Sequence, residues 1–403
     1  MAERFQNGLL LTSATAAQIG RTFSRWLFEF ATQICGWTAR DSYSVGSGSY
    51  TATRGTGVNG ASVAATPQQF DITGDGYNFA TGVDNGRYLT ITGFPVGFED
   101  RNGIYRIVNV ISSKIVELDI RFSVHDAGIP HPSTGLTWRL WSAEATDVPS
   151  HNASNYGVIR GTGTVGGAYS FDCKFQLQTT DSDFPQFQVG PWGTWTPGAP
   201  GSWSDARNTA AFDQWYNNSC SNCRVWAAGD SDRIIVCIRE LDGSLIWTML
   251  YLGEIDPFYP TVDTKPVMVW HGNNTYNDVV TLFGAGNTGG NMYFGGRGLA
   301  EDDLTTLTYY ATYFQTSPSG NYGWALGLAR RWSSRTRRIY RQSFMAESRT
   351  ASHMELRGSL RRVWLGCRDL LRASPFGRNG EFLHVIGGLI VPWNGSGIHE
   401  QRV

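Results

Sequence analysis

The sequence predicts a mainly β chain of antiparallel β-sandwich or barrel domains, with an N-terminal helical arm and irregular, loop-rich extensions. Three observations carry that expectation. Short runs of alternating Val, Ile, Thr, Tyr and Phe recur at hairpin spacing, bounded by turn residues. Glycine accounts for 48 of 403 residues, about 12% against a usual 7% or so. The early part of the chain carries a single helical signal, Ala14 to Cys35.

In that segment Ile19, Phe23, Trp26, Leu27, Phe30 and Ile34 recur at spacings of three and four residues after Thr12 or Ser13 as a cap. The rival reading is a pair of aromatic-rich strands broken at Gly20. Residues 1–35 are therefore read as an amphipathic arm, with Phe23, Trp26 and Phe30 as interface candidates. An arm of this kind docks on a partner, so removing residues 1–35 should abolish docking while leaving the β core folded.

From Gly36 to Gly60 the text changes to Thr/Tyr/Ser alternation punctuated by glycine, read as entry strands of a main β domain. Residues 61–145 read as a small barrel or sandwich module, inserted ahead of or within that larger domain. Its five strands are Phe70–Ile72, Tyr88–Thr92, Gly103–Val110, Lys114–Leu118 and Leu136–Trp141. Asn85-Gly86 and Asn102-Gly103 supply left-handed turn residues between them.

The main β domain continues over 146–329. Strand text runs through Tyr156–Arg160 and Tyr169–Leu177, then a Gly/Pro loop over Pro185 to Ser204 carries Trp192, Trp195 and Trp203. The clearest hairpin pairs Arg233–Arg239 with Leu245–Leu252 across Asp242-Gly243. A helix is a candidate at Asp205 to Tyr216 and a strand at Pro266 to Trp270, and Phe283 to Gly298 is too glycine-rich for regular helix. No fixed-period repeat is present, which disfavours propellers and solenoids.

Residues 330–403 differ in charge. Thirteen arginines fall between Arg330 and Arg378 against Glu347, Glu355 and Asp369. Arg330, Arg331, Arg335, Arg337, Arg338 and Arg341 are the densest group, and with a net charge of −1 for the chain a protein interface is favoured over nucleic acid. Only three basic residues, Lys114, Lys174 and Lys265, are lysines. Ile386 to Trp393 closes the chain as strand-turn text.

Composition excludes several classes. Hydrophobic residues at 41% argue against general disorder, and no apolar run is long enough to span a membrane. Met1 to Leu11 lacks the layout of a secretory signal, so folding in a cytoplasm is expected. Six cysteines are too sparse for a disulfide scaffold, and the sequons at Asn152, Asn217, Asn273 and Asn394 are expected to be unused.

Motifs that could carry chemistry each meet a plainer reading. Gly284 to Gly289 matches GxGxxG but opens no helix. Asp71, Thr73, Asp75 and Gly76 start like a calcium loop, yet Gly82 stands where a bidentate Glu is needed, so an Asx turn is favoured. Cys220 and Cys223 have metal or redox spacing without two further ligands, and read as structural thiols. His125 and His131 read as loop histidines, and no nucleophile elbow or metalloprotease signature occurs. No catalytic residue, cofactor or metal is expected. Trp192, Trp195 and Trp203 form a candidate glycan platform, and Glu254 with Asp256 a weak glycosidase pair.

The Gly36-Trp37-Thr38 entry, the module text Gly86 to Gly93 with Asn102 to Ile107, the runs Trp226 to Val236 and Tyr251 to Pro257 with Asp263 to Pro266, and the closing Ile386 to Trp393 resemble structural proteins of tailed bacteriophage virions, especially β-rich tail, baseplate and collar components. That resemblance implies a non-enzymatic subunit in a virion, assembled in many copies with itself and with other virion proteins, with neither small-molecule substrate nor membrane. The alternative it leaves open is a receptor- or glycan-binding virion protein. A weakly charged, Trp-rich β chain whose partners cover it is consistent with assembly.

Overall fold

The computed structural model describes residues 4–13, 19–43, 53–63, 68–96, 98–120, 134–141, 156–163, 169–177, 185–190, 195–198, 202–203, 220–242, 247–257 and 267–274. Beyond these it describes 292–294, 310–311, 340–348, 354–365, 376–378, 381–386 and 389–393. The chain is mainly β, as the sequence predicts, with antiparallel sheets, one closed barrel and one short helix among the described residues.

A six-stranded antiparallel sheet runs in the order Arg4–Thr12, Asn222–Gly229, Arg233–Glu240, Trp247–Glu254, Val267–Asn274, Met292–Phe294. The predicted hairpin is its centre, with Ile235 opposite Tyr251 and Cys237 opposite Met249. The strand Arg4–Thr12 is a departure from the arm reading. It pairs with Asn222–Gly229 and kinks between Gln6 and Leu9, where Gly8 takes φ 55 beneath the Trp226 indole.

A second sheet has the order Pro185–Gly190, Tyr169–Leu177, Tyr156–Gly163, Thr38–Tyr43. Its last two strands are direct partners, with Thr38 opposite Arg160 and Tyr43 opposite Tyr156. Everything between them is an insertion, and that insertion holds the barrel. The module therefore sits within the larger domain rather than ahead of it.

Six strands close the barrel in the order Thr53–Ser62, Gln69–Asp71, Ile115–Leu118, Gly103–Val110, Tyr88–Thr92, Leu136–Trp141. The five predicted strands are all present. The sixth begins at Thr53, so the module starts ahead of residue 61. The glycines that make this strand read as an irregular entry segment have a packing reason. A Cβ on Gly55 would fall 2.6 Å from the Tyr77 ring, and one on Gly57 would fall 2.4 Å from the Trp138 indole nitrogen. Missing side chains on one wall make room for large aromatics from the others. Phe70, Ile72, Leu89, Ile91, Ile107, Val116 and Trp138 fill the interior.

A third, C-terminal sheet runs Tyr310–Ala311, Tyr340–Ser348, Met354–Leu365, Leu389–Trp393, Glu381–Ile386, Phe376–Arg378. The closing strand-turn text forms the hairpin in which Val385 faces Ile390. Asp256–Pro257 also pairs with Met354–Leu365, tying this sheet to the chain that leaves the first.

The helical reading of the early segment holds over Ile19–Glu29, which continues as a π-helical turn over Phe30–Ile34. Its role as an external arm does not hold. Phe23 is 1% exposed, and Trp26 and Phe30 are fully buried. Trp26 stacks on Phe30 at 5.2 Å between ring centroids. One cluster joins them to Leu9, Val225 and Val236 of the first sheet, Ile159 and Cys173 of the second, and Tyr88, Ile104 and Trp141 of the barrel. The helix is buried on nearly every side, Thr22, Ser24, Arg25 and Glu29 included, because three bodies pack around it, and a helix so enclosed belongs to a core.

Truncating Trp26 to Ala should destabilise the chain by about 3–5 kcal/mol, read as a shift in the urea unfolding midpoint. Removing residues 1–35 should leave no cooperative unfolding transition.

Candidate functional site

The helix meets the barrel through a buried ionic cluster. One helical turn separates Arg25 from Glu29, and Arg25 Nη2 donates to Glu29 Oε1 at 2.9 Å. Both side chains are buried, at 2% and 0% exposure. From the barrel, Arg139 Nη1 donates to the same Oε1 at 3.3 Å and the Thr90 hydroxyl donates to Oε2 at 3.2 Å. Trp141 Nε1 in turn donates to Thr90 Oγ1 at 2.9 Å, and the Arg25 guanidinium lies 5.1 Å from the Trp141 ring centroid. One carboxylate thus holds two guanidinium groups, leaving one net positive charge in the cluster.

Beside it a cleft of about 430 Å³ opens on the outer barrel wall. Thr53, Thr56, Thr90, Thr92, Thr137 and Arg139 line it. The π-helical turn contributes Gln33, and Gly57, Val58 and Trp138 complete the wall. Register explains the threonine lattice. Arg139 lies opposite Thr56 on one side and Thr90 on the other, and Thr137 lies opposite Thr92. Residues that alternate along these strands share one face, so polar positions whose neighbours fill the barrel gather on its outside.

A second joint caps the free edge of the first sheet. The Tyr88 hydroxyl donates to Leu10 O at 3.1 Å and accepts from Thr12 N at 2.9 Å. The Gln6 amide donates to Ile104 O at 2.8 Å and accepts from Ile104 N at 3.2 Å, an imitation of a backbone ladder. Nearby, Asp119 Oδ1 accepts from Arg106 N at 2.9 Å. Burial pushes the Asp119 carboxyl up to about 6, against the pull of the Arg106 and Leu10 amides and the Arg106 and Arg224 charges.

The tryptophan platform is corrected at Trp195. Trp195 is 2% exposed, its Nε1 donates to Asp41 Oδ2 at 2.7 Å and its backbone N to Asp172 Oδ2 at 2.9 Å. Asp172 is itself clamped by Arg160 through two bonds of 2.7 Å. A ring held that way is a wall of the fold with no face for a sugar. Trp203 pairs with Trp195 in a two-residue ladder, and Trp192 lies outside the described residues.

Other sequence candidates scatter. Asp71 accepts from Thr73 N at 2.7 Å, the Asx turn expected there. Asp75 accepts from Asn59 N and from Trp138 Nε1. Burial works against its ionisation, but the Trp138 and Asn59 bonds outweigh it and hold its carboxyl below the usual value. Glu254 is fully buried, and Asp256 sits in a strand facing Ser359. Cys220 and Cys223 are buried free thiols. Burial, then Glu240 and Asp242, push Cys220 up to about 12, and burial with Cys220 beside it raises Cys223 further from thiolate. No group of three metal-ligating side chains occurs among the described residues.

Arg341 stands opposite Trp364 in the C-terminal sheet. Arg330, Arg331, Arg335, Arg337 and Arg338, with His125, His131, the Gly284–Gly289 run and the candidate helix at Asp205 to Tyr216, lie outside the described residues. Sequence reasoning passed over Glu29, Arg139 and the threonine lattice. The one available signal was alternation in Thr90-Ile91-Thr92 and Thr137-Trp138-Arg139, which places hydroxyls and a guanidinium on one face of neighbouring strands.

No family model matches the chain, and neither the curated proteins nor the solved structures compared with it give a match. Among the described residues no helix is long and apolar enough to cross a membrane.

Replacing Glu29 by Gln leaves Arg25 buried without its counter-charge and should cost about 3–5 kcal/mol of unfolding free energy. Asp119 gives a pH signature of fixed sign. The folded chain binds this proton more tightly than the unfolded chain does, so its burial penalty is complete above pH 6 and is relieved as pH falls toward 4. Unfolding midpoints of the wild type relative to Asp119→Asn should therefore rise on acidification from neutral pH through that window.

Proposed function

We propose that this chain is a non-enzymatic structural subunit of a bacteriophage particle, in the tail, baseplate or collar, built in multiple copies through protein–protein interfaces. Its partners are further copies of itself and neighbouring virion proteins, and its place is the virion. What supports this reading is the way the chain uses its buried charge. Glu29, Asp172 and Asp84 each bind arginine at a joint between segments, and the described thiols of Cys173, Cys220, Cys223 and Cys237 are held protonated by burial. A barrel bolted to a sheet scaffold at several points suits a rigid building block better than a hinged enzyme. Pro185–Gly190 and Thr38–Tyr43 are the outermost strands of their sheet among the described residues, and an outermost strand is a place where a neighbouring chain can add to a sheet.

Light scattering on a sizing column over a concentration series, with negative-stain images of the peak, tests the proposal. The expected result is a discrete ring or closed oligomer. A monodisperse monomer at every concentration, alone and in the presence of purified particles, would overturn it.

A further inference from the structure

We infer that the threonine-lined cleft between barrel and helix binds a sugar acid, a small hydroxyl-rich molecule carrying one carboxylate. The inference stands apart from the assembly proposal, since a cleft on one chain needs no neighbour.

Three observations converge. At about 430 Å³ the cleft falls in the range of small-ligand sites, roughly 300–1,000 Å³, and is large enough for one sugar ring with its substituents. Its lining is unusual for such a site in being hydroxylic. Thr53, Thr56, Thr92 and Thr137 line it, and among the described residues their hydroxyls make no hydrogen bond within the chain. Each is both donor and acceptor, and that dual capacity is what ring hydroxyls require. Strand pairing sets them on a grid with spacings near 4.8 Å across strands and about 6.8 Å along them, a scale that spans a pyranose.

Charge selects the acid. Arg25, Glu29 and Arg139 sum to one positive charge, and of the three Arg139 lines the cleft. Its Nη1 is engaged by Glu29, and its remaining N–H groups have no partner among the described residues. A guanidinium with one edge held and donors to spare is preorganised for a carboxylate. Asp75 lies behind Gly57, where the Val58 and Asn59 amides and Trp138 Nε1 already occupy its oxygens. The Gln33 carboxamide, contributed by the π-helical turn, suits a further hydroxyl.

Calorimetry with the full-length chain tests this, using D-glucuronate as probe, with D-glucose and acetate as its neutral and hydroxyl-free counterparts. Saturable one-site binding of glucuronate is expected, with glucose and acetate each weaker by about ten-fold or more and with affinity falling as salt rises. Arg139→Gln should abolish the preference for glucuronate over glucose. Because that variant also touches Glu29, Thr137→Val provides the second arm. Thr137 is exposed and outside the ionic cluster, so the variant should melt like the wild type while binding weakens several-fold. Absence of saturable glucuronate binding, equal binding of glucose, or affinity unchanged in folded Thr137→Val would each overturn the inference. A glucuronate-containing tetrasaccharide separates the two sources of such a ligand. Tighter binding than the monosaccharide marks an acidic polysaccharide, and equal binding marks a free sugar acid.

Discussion

The Glu29 carboxylate is the point through which the rest of the structure is connected. It is closed off from solvent at the end of a helix that three β bodies share, and it takes donors from the helix itself and from two barrel strands. A buried carboxylate needs such company, because desolvation is tolerable only when its lone pairs are filled and its charge is balanced. The apolar surroundings of Phe23, Trp26 and Phe30 supply most of the driving force for collapse. The ion cluster adds direction, since only one placement of barrel on helix brings Arg139 and Thr90 to the same carboxylate.

That direction matters because the barrel is an insertion. Thr38–Tyr43 and Tyr156–Gly163 are neighbours in one sheet, so the barrel enters and leaves the scaffold within a strand's width. Such a module would pivot about its connections were it not tied elsewhere. Gln6 and Tyr88 provide the second tie by filling the hydrogen-bonding groups of an edge strand and of Ile104. The same contacts close an edge that would otherwise invite pairing with another chain. Two polar joints beside an apolar core fix one orientation, and that orientation brings Gln33 to the threonine-lined barrel wall.

Much of the fold is legible along the chain. The central hairpin, the five barrel strands and the helix each announce themselves by local periodicity and turn residues, and each forms where that pattern places it. Thr53–Ser62 was harder to read because Gly55, Gly57 and Gly60 weaken the strand pattern for a reason that lies in Tyr77, Trp138 and Phe70. Arg4–Thr12 was missed because its partner, Asn222–Gly229, is more than two hundred residues away. The site was less legible still. Trp195 looked like a platform because aromatic residues in a Gly/Pro loop suit exposed surfaces and cores equally, and only Asp41 and Asp172 decide which.

By itself the sequence determined the class of this protein: its antiparallel β architecture, the early helix and a glycine-punctuated module, because periods of two and 3.6 residues and left-handed turns are local properties of the backbone. The tertiary structure alone decided that the helix is a core and not an arm, that the module is an insertion docked at Glu29, and that threonines from three strands and one arginine share a wall. Those outcomes depend on which distant surfaces meet and which charges are shut away from water together, and no local pattern encodes that.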